Sequence, residues 1–275
     1  MDFMELLGNI WLPAVIFVGL GLVAGVLLSV FSKIFAVETD EKVEEVRACL
    51  PGLNCGVCGY SGCDSYAKEI VHHGAHTNRC VPGGDKTAKE ISTIMGSSFE
   101  DVAETTAFVK CGGRVPEKTK DLFEYEGERT CAACNVLYRG KGVCDFACIG
   151  FGDCARACPF GAISIQGGIA VVDPQKCTGC TMCTKACPKL LIEMRDAHKP
   201  VFVSCSNREA AKKVMAQCEH GCIGCKKCER TCPTGAITVN NQIASIDYSK
   251  CTGCLACVEQ CPRHCITVPG KSAES

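Results

Sequence analysis

A chain of 275 residues with 27 cysteines, one Trp and 6% aromatics lacks the makings of a large aromatic core, so its folded part is expected to depend on metal. The length and the cysteine spacings exclude a short secreted disulfide scaffold, and no nucleic-acid partner is expected. The net charge of −1 hides an acidic stretch, 38–130, with 11 Lys+Arg against 17 Asp+Glu, and a basic stretch, 131–275, with 17 against 11, which suits an acidic partner.

Ile10 to Phe31 holds 22 residues without a charge. At about 1.5 Å per helical residue this spans roughly 33 Å, enough for a bilayer core of about 30 Å. A signal peptide is disfavoured, because Asp2 and Glu5 stand where a basic n-region belongs. Residues 1–36 therefore read as a single-pass anchor. Lys33, Lys42 and Arg47 follow the span and none precedes it, which puts the bulk of the chain in the cytoplasm. Gly21, Gly25 and Ser29 line one helical face, where a second membrane helix packs closely. With no ionisable residue inside it, the span forms no ion pathway by itself.

Residues 37–84 read as a juxtamembrane helix, Glu38 to Arg47, followed by a four-cysteine module. Cys55, Cys58, Cys63 and Cys80 follow C-x2-C-x4-C-x16-C, four thiolates for one 4Fe-4S cluster, with glycines that fold a loop tightly. A zinc site is the alternative. His72, His73 and His76 lack a paired C-x-H pattern and read as solvated. Residues 85–130 read as a connecting segment, with a helix over Ala88–Met95 capped by Asp85 and a turn near Cys111-Gly-Gly.

From Cys131 the chain repeats. Residues 158–188 and 232–262 match at an offset of 74, and both contain the C-x2-C-x2-C-x3-C-P run. That run binds 4Fe-4S clusters in bacterial two-cluster ferredoxins, the last cysteine of each run reaching across to the other cluster. Residues 131–190 and 191–275 thus read as two such modules, each with a hairpin: Ala162–Ile165 with Ile169–Val172 around Gly167-Gly168, and Ile237–Ile246 around Asn240-Asn241. A strand over Val201–Ser204 and a helix over Arg208–Gln217 fill the connection. The fold class is α+β.

In the last module Cys222, Cys225, Cys228 and Cys261 are expected to hold one cluster, and Cys251, Cys254, Cys257 and Cys232 the other. In the preceding module Phe151 stands where the repeat has Cys225. Cys144 is expected to replace it, giving Cys144, Cys148, Cys154 and Cys187 for one cluster and Cys177, Cys180, Cys183 and Cys158 for its neighbour; a three-iron cluster is the alternative. Cys49, Cys111, Cys131, Cys134, Cys205, Cys218 and Cys265 remain and read as small buried side chains. A sixth centre built on Cys111, Cys131 and Cys134 is not expected, so the count is five clusters. Gly19-x-Gly21-x-x-Ala24 and Gly150-x-Gly152-x-x-Ala155 mimic a dinucleotide fingerprint without its strand and helix. No nucleotide loop or hydrolytic triad appears, and no active site for substrate chemistry is expected on this chain.

One apolar helix, then LPGLNCGVCGYSGC and CVPGG, then ferredoxin runs, resembles the iron-sulfur B subunit of the Rnf complexes, ion-translocating ferredoxin:NAD+ oxidoreductases. The resemblance covers nearly the whole chain. It implies a membrane-tethered electron-transfer subunit that takes electrons from soluble acidic ferredoxin and passes them to membrane and flavin subunits, where NAD+ is reduced with Na+ or H+ translocation. A second ferredoxin module beyond the shortest family members implies a longer wire. The alternative is a membrane-tethered polyferredoxin serving another enzyme, such as a hydrogenase.

Overall fold

Thirty-two residues of nearly unbroken apolar sequence form helix α1, Phe3–Ile34. Ala14–Lys33 within it is long and apolar enough to cross a membrane, with a mean hydropathy of 2.7. Its apolar side chains lie open, Phe17 and Leu28 being 75% and 71% exposed. In this computed structural model residues 3–34, 40–199 and 201–268 are described. The expected connector helix appears as α2, Glu41–Cys49; Glu38 and Thr39 lie outside the described residues.

The chain divides into two units, residues 1–44 and 45–275. The second opens with α3 (Cys63–His73), a single 3-10 turn (Val81–Gly83) and α4 (Gly84–Met95). Helix α4 starts four residues before the expected Ala88. Asp85 lies inside its first turn rather than capping it, and its carboxylate accepts the Val102 N–H at 2.9 Å, tying the helix to the following loop.

The ferredoxin-like part is built from four two-stranded antiparallel sheets. Strands β1 (Thr105–Val109), β2 (Ile163–Gln166), β3 (Ile169–Val172), β4 (Ile192–Asp196), β5 (Phe202–Val203), β6 (Ile237–Asn240), β7 (Ile243–Ile246) and β8 (Ile266–Thr267) alternate with short helices. These are α5 (Cys131–Val136), α6 (Asp153–Arg156), α7 (Met182–Ala186), α8 (Ala211–Gln217), α9 (Lys227–Thr231) and α10 (Ala256–Glu259). Both expected hairpins form. β2 pairs with β3, and β6 with β7. The second turn falls on Asn241-Gln242, one residue later than expected, both with positive φ, as a two-residue primed turn demands.

The outer strands show how each half closes. β1, from the stretch read as a connecting segment, pairs with β4 from beyond residue 190, Val109 opposite Ile192. β5 pairs with β8, Val203 opposite Ile266. Ile192 and Ile266 are one repeat offset apart, so the two pairings are equivalent. Ala107, Val109, Ile163, Ala170, Leu191 and Ile192 form one core with Cys154 and Cys183. The second core sets Val201, Val203, Ile237, Val239, Ala244 and Ile266 against six cysteines. Sulfur, not aromatic surface, fills half of that core.

Candidate metal centres

Cys55, Cys58, Cys63 and Cys80 line one cavity, walled by Leu50, Pro51, Tyr66 and Pro82. Asn54 accepts the Cys63 N–H at 2.8 Å, fixing the start of α3. A Cβ on Gly62 would stand 2.9 Å from the Asn54 amide oxygen, so only glycine leaves room for this bond. Tyr66 donates its hydroxyl to the His76 carbonyl at 2.7 Å and accepts the Arg79 N–H at 3.1 Å, which holds the loop that delivers Cys80.

This module abuts the first ferredoxin half. Lys185 donates to the Cys55 carbonyl at 2.7 Å. Gly179, at φ +72°, makes the approach possible, since a Cβ there would meet Thr105 at 2.5 Å and Val81 at 2.9 Å. Beside it stand Cys158, Cys177, Cys180 and Cys183. Burial, then neighbouring thiolates Cys177, Cys180 and Cys158, push Cys183 up to about 11. Burial, then Cys158, Cys177 and Cys55, raise Cys180 as well.

The next cavity differs from expectation. It is lined by Cys131, Cys148, Cys154 and Cys187, and Cys144 is not part of it. Burial, then Cys148, Cys131 and Cys187, raise Cys154 to about 12. Asp153 explains the placement: its carboxylate accepts the N–H groups of Cys131 and Ala132, both at 3.0 Å, and seats the start of α5 beside Cys154. Thr130 caps that helix through the Ala133 N–H at 3.1 Å. Phe151, occupying the missing cysteine's place, packs at a tilt against Tyr125, ring centroids 5.6 Å apart, within the segment that leads to Cys131. Cys144 is held elsewhere by Asn207, whose amide donates to its sulfur at 3.3 Å.

In the last half, Cys222, Cys225, Cys228 and Cys261 line one cavity together with Cys265. Cys232, Cys251 and Cys254 act on Cys257, which burial first of all raises to about 11. Cys265 is an addition to the expected set. Its sulfur lies 3.5 Å from that of Cys261. As an S–H donor it draws Cys222 down to about 6 and Cys261 down to about 5. Replacing Cys265 by Leu, the residue at the equivalent position 191, removes this donor. A bond worth about 1 kcal/mol more to the reduced cluster raises its potential by roughly 40 mV, so the variant's EPR-monitored titration is expected to show one cluster shifted down by about that much.

The donor sets fit iron-sulfur clusters. Backbone N–H groups point at the sulfurs: Ala107 to Cys177, Ala162 to Cys158 and Leu191 to Cys187 at 3.4–3.5 Å, and Ala236 to Cys232 at 3.3 Å. Such donors stabilise ligating thiolates and set cluster potentials. Among the described residues no group of three His, Cys, Asp or Glu side chains is arranged to hold a single ion. The histidines of the first module contact carboxylates, His73 with Glu69 and His76 with Glu100, rather than joining a thiol set.

Similarity to known proteins follows the same division. The Fe-S cluster family model matches residues 50–82, and 4Fe-4S dicluster models match 147–190, 176–237 and 213–262. Over 233 residues, 84% of this chain and 88% of the relative, the sequence is 41% identical to the B subunit of the ion-translocating oxidoreductase complex of Methanosarcina acetivorans. The chain belongs to the B-subunit family of these Rnf-type complexes. Two further members are the B subunit of the Na(+)-translocating ferredoxin:NAD(+) oxidoreductase complex of Acetobacterium woodii, 39% identical over 89% of this chain and 74% of the relative, and the proton-translocating counterpart of Clostridium ljungdahlii, 37% identical over 84% and 81%. Within the family framework the overlapping match at 176–237 joins the end of one repeat to the start of the next. The hairpins β2–β3 and β6–β7 fall within the matches at 147–190 and 213–262.

Proposed function

We propose that this chain is the electron-relaying subunit of a membrane-bound Rnf-type complex. It takes electrons from reduced acidic ferredoxin and passes them toward membrane and flavin subunits that reduce NAD+ with coupled Na+ or H+ translocation. The observation that carries this reading is the succession of four-thiol sets, from Cys55–Cys80 through both ferredoxin halves, the first module meeting the first half through the Lys185 side chain on the Cys55 carbonyl at 2.7 Å. Helix α1 is the anchor, and the basic residues after it favour a cytoplasmic soluble part. The relay halves run from β1 to β4 and from β5 to β8.

The ligand sets we favour are Cys55, Cys58, Cys63 and Cys80; Cys158, Cys177, Cys180 and Cys183; Cys131, Cys148, Cys154 and Cys187; Cys222, Cys225, Cys228 and Cys261; and Cys232, Cys251, Cys254 and Cys257. Bound 4Fe-4S clusters supply one-electron exchange without bond making. The chain's own work is to hold the sulfurs and aim N–H donors at them. No general acid or base is needed.

Cys225 and Cys254 are the exposed members of these sets, so a redox partner docks best on the last half. Lys226, Lys227 and Arg230 surround that opening and are exposed; Lys226 has only a distant carboxylate partner, Glu229 at 4.0 Å. They offer an acidic ferredoxin a complementary surface. The test is stopped-flow mixing of the anaerobic chain with dithionite-free reduced ferredoxin, following bleaching of the visible band. Lys226→Glu with Lys227→Glu is expected to slow reduction about tenfold at low salt and little at high salt. Equal rates would place docking elsewhere, and no reduction of the wild-type chain by ferredoxin would overturn the functional reading.

A further inference from the structure

Four cysteines outside the relay sets face a common cavity. Cys111, Cys144, Cys205 and Cys218 line it, with Gly112, Gly113, Gly221 and Asn207 between them. Two pairs related by the internal repeat make up this set. Cys144 and Cys218 are one offset of 74 apart, four residues before Cys148 and Cys222 respectively. Cys111 and Cys205 follow equivalent strands: the Lys110 N–H bonds the Leu191 carbonyl and the Ser204 N–H bonds the Cys265 carbonyl, both at 2.8 Å. The same two positions of each half therefore meet at one place.

We propose that Cys111, Cys144, Cys205 and Cys218 bind a sixth 4Fe-4S cluster, shared by the two ferredoxin halves. Each sulfur has the surroundings of a ligand. Cys111 accepts the Cys148 N–H at 3.4 Å and Cys205 accepts the Cys222 N–H at 3.3 Å. Cys144 accepts the Asn207 amide, and backbone N–H groups of His220 and Gly221 turn toward Cys218. Asn207 is 2% exposed, and besides Cys144 its amide holds Gln217 at 3.1 Å. Glycines keep the cavity open on the Cys218 side, a Cβ on Gly113 lying 3.2 Å from that sulfur. Four thiols around one cavity match the four corners of a cube.

The site lies between Cys148 of one half and Cys222 of the other, joined to each by a hydrogen bond. Bound there, the cluster supplies a stepping stone, taking one electron from a reduced neighbour, which is oxidised, and giving it to an oxidised one, with no proton moved. It replaces a through-space jump between halves.

The test is metal and sulfide analysis of the full chain, purified anaerobically in detergent. About 24 iron and 24 acid-labile sulfide per chain are expected, with no zinc. Cys111→Ser with Cys205→Ser is expected to bring both to about 20 and to remove one spin from the dithionite-reduced EPR signal. About 20 iron in the wild-type chain, unchanged in the variant, overturns the proposal. So does about 20 iron with one zinc that the variant loses. If the variant loses far more iron than one cluster, the wild-type count decides. A wild-type chain without iron fails the relay reading itself, a result distinct from about 20.

Discussion

Cys131→Ser is expected to reduce the cluster held with Cys148, Cys154 and Cys187 to a three-iron form or to empty it. The loss is one to four irons per chain, with a new signal in the oxidised EPR spectrum if three irons stay. Cys144→Ser is expected to spare that cluster. Position separates the two thiols. Asp153 ties the first turn of α5 to the residue beside Cys154, whereas Asn207 draws Cys144 into a different cavity. Asp153→Asn keeps the shape but leaves one acceptor oxygen, so one of the two N–H bonds is lost and the other weakened; it should make the same cluster more labile to chelator without removing a ligand. A Cys144→Ser chain that showed the three-iron signal, beside a normal Cys131→Ser chain, would reverse the assignment.

Stripping iron is expected to unfold residues 45–275. Helices α6 and α10 have four residues each and the longest strands have five, too short to persist without tertiary support. Half of the core between β5 and β8 is cysteine. Emptied of metal, those thiols pack as small, loosely fitting groups. Burial holds Cys154 up at about 12 and Cys80 at about 11, so these two thiols, once freed, protonate at neutral pH and rebinding iron must release those protons. Structural metals of this kind contribute on the order of 10 kcal/mol to folding, close to the whole stability of a domain. Chelation under reducing conditions should therefore abolish the strand and short-helix contribution to circular dichroism and the cooperative melt, while the α1 signal persists in detergent. Anaerobic iron and sulfide should restore both. An apo chain melting within a few degrees of the holo chain would refute this.

The sequence disclosed what periodicity and local spacing encode. The apolar run became α1, the glycine-centred and asparagine-centred hairpins formed, and Cys55, Cys58, Cys63 and Cys80 gathered as spacing implied. What stayed hidden depends on contacts remote in sequence. Cys131 sits 17 residues before Cys148, upstream of the matched segment 158–188, and the Asp153 carboxylate fixes its place. β1 lies in a polar stretch with no hairpin partner nearby, because its partner is 83 residues away, from Val109 to Ile192. The matched pair Cys144 and Cys218 was present in the repeat offset, but convergence with Cys111 and Cys205 needed the strands to be paired. Asp85 looked like a cap by type, and its carboxylate went instead to Val102.

The pairing of β1 with β4 bears on how such a chain diversified. The tandem sequence unit, counted by cysteines, ends near Pro188, but the structural unit runs on to Asp196. A gene crossover at the cysteine boundary would hand β4 to the neighbour and leave the edge of β1 bare, an invitation to sticky association. A junction placed after Asp196 and before Phe202 would cut neither sheet.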